Sequence, residues 1–250
     1  MGILAVTDHD TMGGVAEAME SGAARGVRVV AGVELSVRAP SGSLHLLGYF
    51  PGAPRASPLT ERLAALREAR ERRAHLIVER LGALGAPVDF EDVSARAAGA
   101  IGRPHVADAL VAAGHARDRQ DAFDRYLADG APAWVPHEGL EPREAIALVL
   151  DSGGAPALAH PASLRMQPRQ LAAYVGRLAG WGLRGIEVHR PEHTPERRAA
   201  LSRLARTAGL VETGGSDFHD PADALRPGDT GRPPLPPEAI DRLLFDTVEP

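Results

Sequence analysis

The sequence predicts an α/β fold. Apolar, strand-like runs alternate with amphipathic helical segments toward both ends of the 250-residue chain, and a long helical block separates the two regions. A further observation is that clusters of His, Asp and Glu repeatedly follow the apolar runs. In parallel βα folds the C-terminal strand ends form one face, and active sites collect there.

The elements read as follows. Residues 3–6 (Ile-Leu-Ala-Val) form a strand that leads into Thr7, Asp8, His9 and Asp10. Residues 14–24 form a helix, with Val15, Ala18 and Met19 on one side. Strands follow at 27–37, interrupted by Gly32, and at 44–50; a Pro/Gly/Ala linker spans 51–58. Residues 59–85 carry Leu63, Leu66, Leu76, Ile77, Leu81 and Leu84 near helical spacing among many Arg and Glu, which predicts one long helix. Further helices are expected at 90–98, 104–113, 120–128 and 141–151, with only a short apolar piece at Trp134-Val135 between them. Alternation then resumes: strand 155–159, helix 168–180, strand 185–188, helix 195–208 and strand 210–213. A Pro/Gly/Asp-rich loop at 222–236 precedes a closing helix at 237–245. This gives six strands, read as parallel βα units, with 59–150 as a helical insertion.

Composition narrows the function. Hydrophobic residues make up 44% and charged residues 24%, an ordinary globular balance. No apolar run approaches the ~20 residues of a membrane span, and no basic and apolar leader opens the chain, so a cytoplasmic protein is expected. There is no cysteine, which excludes disulfides, zinc–thiolate sites and cysteine nucleophiles. All 28 basic residues are Arg, which removes lysine catalysis and Walker-type phosphate loops. A net charge of −5 disfavours a sequence-independent grip on duplex DNA.

The polar clusters carry the chemistry. Val6 leads into Asp8, His9 and Asp10; Val33 into Glu34; Leu158 into His160; Ile186 into Glu187 and His189; Val211 into Ser216, Asp217 and His219. His45 instead falls at the start or inside of its strand, a position from which it could still point into a barrel. Any one of these has a plainer reading. A lone His is commonly a hydrogen-bonded structural residue, and Asp10 fits an N-cap of helix 14–24. Glu34 is harder to dismiss, because an unpaired buried carboxylate is costly; a metal or an Arg would satisfy it. Jointly, imidazoles and carboxylates without thiolate suit Zn, Mn or Fe, and paired metals are the usual solution for phosphate-ester hydrolysis.

The chain resembles the PHP (polymerase and histidinol phosphatase) superfamily. The motifs are Thr7-Asp8-His9-Asp10-Thr11, Gly32-Val33-Glu34, His45-Leu46-Leu47-Gly48-Tyr49, Ile101-Gly102-Arg103-Pro104-His105, Ala159-His160-Pro161, Gly185-Ile186-Glu187-Val188 and Gly215-Ser216-Asp217-Phe218-His219. The branch it is most similar to holds the 3′,5′-nucleoside bisphosphate phosphatases and 5′-to-3′ oligoribonucleotide exonucleases. The resemblance implies a distorted (β/α)7 barrel, discontinuous over 1–58 and 151–250, with 59–150 as a substrate-side lid. It implies two or three divalent ions, Mn, Fe or Zn. Glu34 would bridge two of them. His45 and His160 would complete one site, Asp217 would join Glu34 on another, and His9 and His219 would belong to a third, with Asp8 in support. Asp8, His9, Glu34 and Asp217 are thus the catalytic candidates. Arg103 and His105 would hold substrate phosphate, as a guanidinium does by bidentate contact; a plain helix start with Pro at its first turn is the alternative. His189 and His193 are further substrate-side candidates, with surface-loop residues as the alternative.

The implied activity is hydrolysis of a phosphomonoester or phosphodiester in a small nucleotide or short RNA by metal-activated water. One departure stands out. The family opens with a strand bearing Asp-x-His-x-His, and this sequence starts where the second strand would start. A segment of roughly 35–40 residues is expected to be lacking, judged from the size of a βα unit. The alternative function is therefore a truncated, catalytically impaired module that binds nucleotide or metal.

Overall fold

The computed structural model of the chain describes residues 2–52, 56–97, 99–219, 225–231, 235–236 and 238–245. In chain order the first elements are β1 (Ile3–Val6), α1 (Val15–Ala24), β2 (Arg28–Val37), β3 (Leu44–Phe50), α2 (Ala56–Ala83), α3 (Phe90–Ala95) and α4 (Arg103–Ala112). Then come α5 (Arg119–Ala122), running into a π-helical turn (Phe123–Leu127), and α6 (Pro142–Asp151). The last are β4 (Ala155–Leu158), a 3-10 turn (Pro161–Leu164), α7 (Pro168–Gly180), β5 (Gly185–His189), α8 (Pro195–Thr207), β6 (Val211–Gly214) and α9 (Ala239–Phe245). The expected helix at 120–128 is thus part α-helix and part π-turn. Trp134-Val135 forms no strand. The expected loop at 222–236 and the first residues of the closing helix lie partly outside the described residues.

The chain divides into two compact units: Met1–Asp8, Met12–Thr60 and Leu140–Pro250 form the first, and His9–Thr11 with Glu61–Gly139 form the second. The first unit holds a six-stranded sheet in the order β1-β2-β3-β4-β5-β6. β1 and β2 are parallel, as are β4, β5 and β6. β3 runs antiparallel to both of its neighbours, β2 and β4, which corrects the all-parallel expectation. The reason is the connection: only residues 38–43 separate β2 from β3, too few for a parallel crossover of a dozen or more residues. The result is a mixed α/β fold around a half-barrel sheet.

β2 is buried from Val30 to Val37 and lies inside the sheet, as its nearly continuous apolar run requires. Val30, Leu47, Tyr49, Ala155 and Ala157 share a core with Leu243 and Leu244 of α9. α6 comes close over β3 at Gly48, where an added Cβ would lie 3.0 Å from Val149. Gly209 closes α8 at φ +67°, a left-handed conformation that glycine adopts without cost.

The second unit has its own core, in which Ile77 and Leu81 of α2 pack with Val93, Val106, Leu110, Leu127 and Val135. Asp89 caps α3 by accepting from the Glu91 N–H at 3.0 Å. Asp10 is fully buried at φ +51° and accepts from Arg70 Nε at 2.5 Å. It is therefore not the N-cap of α1; that position is Gly14, which makes no side-chain cap. Among the described residues, no helix is long and apolar enough to cross a membrane.

Candidate metal centre

Three neighbouring strands of the first unit bring Glu34, His45 and His160 together. Glu34 lies on β2 at 5% exposure, and Ser36, on the same face, is paired in register with His45 of β3. His45 sits at the beginning of its strand, yet β3 is reversed, so this beginning meets the C-terminal part of β2. His160 lies two residues past β4, and the Ala159 N–H donates to the His45 carbonyl at 3.2 Å. Its backbone is held at φ 25°, ψ 64° before Pro161, a costly conformation of the kind that clusters at functional sites.

The donor atoms converge. Glu34 Oε1 lies 2.7 Å from His45 Nδ1 and 3.1 Å from His160 Nε2, and the two ring nitrogens are 3.0 Å apart. Two donors about 2.1 Å from one ion stand about 3.0–3.4 Å apart for cis or tetrahedral angles. The separations of 3.0 and 3.1 Å match a shared divalent cation, while the 2.7 Å between Glu34 and His45 is a hydrogen-bond distance that an ion would widen slightly. The protonation state fits as well. Ser163 Oγ has one proton, and both its acceptors, the Ser43 carbonyl at 2.8 Å and the His160 carbonyl at 2.9 Å, are backbone oxygens. With that proton committed, Oγ accepts from His160 Nδ1, 2.9 Å away. With Nδ1–H given to Ser163, neutral His160 leaves the Nε2 lone pair for an ion; in the protonated ring Nε2–H donates to Glu34 instead, 3.1 Å away. An outer hydrogen bond such as that to Ser163 is how a ligating imidazole is oriented.

Glu187 of β5 supports the same residue from behind. Its carboxylate accepts the His160 N–H at 2.7 Å. Burial raises the Glu187 pKa, against the opposing pull of Arg190 and of the His160 N–H. Burial also pulls His160 down, but the Glu34 hydrogen bond and charge, with Asp217 and Glu187, outweigh it and leave its pKa raised. Tyr49 is pushed upward by burial, then by Glu187 and Glu34, and stays neutral. The field at this end of the sheet is therefore negative, as a divalent cation requires.

The other predicted residues are placed as follows. Asp217 sits at φ +54° with Oδ2 3.2 Å from Arg190 Nη2. His219 is half exposed, and its Nδ1 donates to the Asp217 carbonyl at 2.7 Å. The Asp8 carbonyl accepts from the Glu34 N–H at 3.1 Å, which ties the segment after β1 to β2. His9 belongs to the second unit, as do Arg103 and His105. Arg103 donates to Asp129 at 2.8 Å and to the Leu127 carbonyl at 3.0 Å, with its guanidinium 5.7 Å from the Phe123 ring centre. His105 Nδ1 accepts the Gly102 N–H at 3.0 Å and so caps α4. His189 and His193 are both buried, not in a surface loop: His189 Nε2 pairs with Glu212 at 3.0 Å and His193 Nδ1 donates to the Val188 carbonyl at 2.9 Å. Ser163 and Arg190 escaped the sequence reading. The signal for Arg190 was an arginine directly after the buried strand that holds Glu187; Ser163 carried none.

A mixed α/β sheet with a His/Glu donor set at the strand ends can hold a divalent ion, and comparison with known proteins supplies the class, metal-dependent phosphoesterase. No protein-family model matches the chain. The chain is 34% identical over 232 residues to the 5′-3′ exoribonuclease Rnm of Escherichia coli, covering 91% of this chain and 78% of that protein. It is 33% identical over 227 residues to the 3′,5′-nucleoside bisphosphate phosphatase of Chromobacterium violaceum, covering 90% and 79%. Among solved structures, one described as a metal-dependent phosphoesterase from Bifidobacterium adolescentis superposes with a TM-score of 0.84 at 32% identity, over 98% of this chain and 86% of that one. The chain belongs to the PHP family of metal-dependent phosphoesterases. It is a phosphoric ester hydrolase that uses divalent metal.

Proposed function

We propose that the chain hydrolyses a phosphate ester of a small nucleotide, a 3′,5′-nucleoside bisphosphate or the 5′ end of a short oligoribonucleotide, with two or three Mn, Fe or Zn ions. The observation that carries this reading is the convergence of Glu34, His45 and His160 on one point, with Ser163 Oγ 2.9 Å from His160 Nδ1 on the outer side of the ring. The names of the relatives support the substrate class.

In this reading Glu34, His45 and His160 hold one ion, and His9, Asp217 and His219, with Asp8 in support, serve the others. Bound divalent ions neutralise phosphate charge and lower the pKa of water. The chain's own residues supply the rest. Arg103 and His105, in the helical segment 59–150, are the residues that orient the phosphate in this reading. The helical unit already crowds guanidinium groups: burial, then Arg103 and Arg70, pull Arg73 down to about 10. A phosphate there would relieve that repulsion. His189 and His193, each with one ring nitrogen bonded within the protein, stay substrate-side candidates in this reading. The enzyme is cytoplasmic in this reading.

The test is direct. Protein stripped with chelator and reloaded with Mn is assayed on a nucleoside 3′,5′-bisphosphate and on a 5′-phosphorylated short oligoribonucleotide. Hydrolysis that disappears with metal and with Glu34→Ala or His160→Ala supports the reading; full activity in either variant overturns it.

A further inference from the structure

We propose that Arg190 is a positioning residue for the metal centre, an internal cation that anchors Glu187 and Asp217 and through them the ligand geometry. The inference rests on the metal centre described above. Arg190 follows β5 directly, and its side chain is 5% exposed although it carries a full charge. Its Nη1 lies 3.0 Å from Glu187 Oε2, its Nη2 3.2 Å from Asp217 Oδ2, and its Nε 2.6 Å from Glu192 Oε1. One planar fork thus ties the end of β5 to the segment that follows β6.

Glu187 reaches the centre through the His160 backbone, and the Asp217 charge acts on the His160 ring. Glu187 Oε2, the atom that faces Arg190, also accepts the His160 N–H at 2.7 Å. A chain of contacts therefore runs from guanidinium to carboxylate to the backbone of His160, whose strained φ must be held from outside. Asp217, also at positive φ, has its carboxylate fixed by the same guanidinium. The local backbone is built for this approach: an added Cβ at Gly214 would stand 2.3 Å from the His189 carbonyl, and one at Gly215 would stand 3.2 Å from Glu187 Oε1. Any larger residue at Gly214 would push the β6 segment away from β5 and from Arg190. Lysine reproduces the charge but not the fork, so it can serve one of the carboxylates and not the set.

The test measures Mn binding directly, by the paramagnetic resonance of free Mn during titration of stripped protein. Arg190→Met is expected to weaken Mn binding about 10- to 100-fold, the range for removing an outer-shell support of a metal ligand. Arg190→Lys is expected to recover part of that loss, which a purely packing role would not. Unchanged Mn affinity in folded Arg190→Met overturns the proposal. If that variant does not fold, Glu187→Gln, close in shape, replaces it: a loss in the same range supports the proposal and wild-type affinity overturns it. Glu34→Gln is the control. Should it leave Mn binding intact, the metal centre itself is misassigned; should it abolish binding while Arg190→Met does not weaken it, only the role of Arg190 fails.

Discussion

Ser163→Ala isolates the orientation of one ligand without touching any ligand. The hydroxyl accepts from His160 Nδ1 at 2.9 Å and passes its own proton to a backbone carbonyl at 2.8–2.9 Å. Alanine removes both contacts and leaves a space too small to move the fold. Only the bond to His160 bears on metal affinity; at about 0.5–1.5 kcal/mol it corresponds to about 2- to 12-fold in an equilibrium constant. That interval reaches the lower end of the roughly 10- to 100-fold typical of outer-shell supports. The His160 ring then takes either tautomer, and only one leaves Nε2 free for an ion. The expected outcome is Mn affinity reduced about tenfold, with most of the rate recovered at saturating Mn. Ser163→Thr keeps a hydroxyl and should retain most of the affinity. Mn affinity within twofold of wild type in folded Ser163→Ala would refute the tautomer argument.

Three other outcomes follow from the same geometry. In wild-type protein, an ion at 100 times its Kd stabilises by about 2.7 kcal/mol, which raises Tm by about 5–11 °C in a domain of this size; Glu34→Gln should lose both that rise in a thermal melt and the ion itself in elemental analysis. Arg70→Ala removes a charge partner of Asp10, which is fully buried in the second unit, and should cost about 3–5 kcal/mol in urea denaturation. Arg103→Lys keeps the charge but loses the fork, so steady-state kinetics should show KM for a phosphorylated substrate rising about tenfold or more with kcat less affected; an unchanged KM would remove Arg103 from the phosphate site.

Much of the fold was legible because its signals are local. The 3.6-residue periodicity of α2, the continuous apolar run of β2 and the sequence of strand and helix after residue 155 each depend on residues close in the chain. Glu34 was legible for the same reason: a carboxylate inside an apolar run has to be compensated wherever the strand ends up. The role of Asp10 was not. A short polar side chain before a helix reads as a cap, and only the approach of Arg70, sixty residues away in sequence, shows otherwise.

The sequence by itself determined an α/β fold with imidazole and carboxylate donors near its strand ends, since residue types and their order are written in the chain; the phosphoesterase class came with the resemblance of its motifs to the PHP superfamily. The tertiary structure alone decided which donors meet. His45, at the wrong end of a strand read as parallel, reaches Glu34 because β3 is reversed. Ser163 fixes His160, and Arg190 joins Glu187 to Asp217, across contacts that no local pattern encodes. The physical reason is that periodicity and capping are settled within a few residues, whereas strand direction and side-chain convergence are settled by which surfaces the whole chain can bury together.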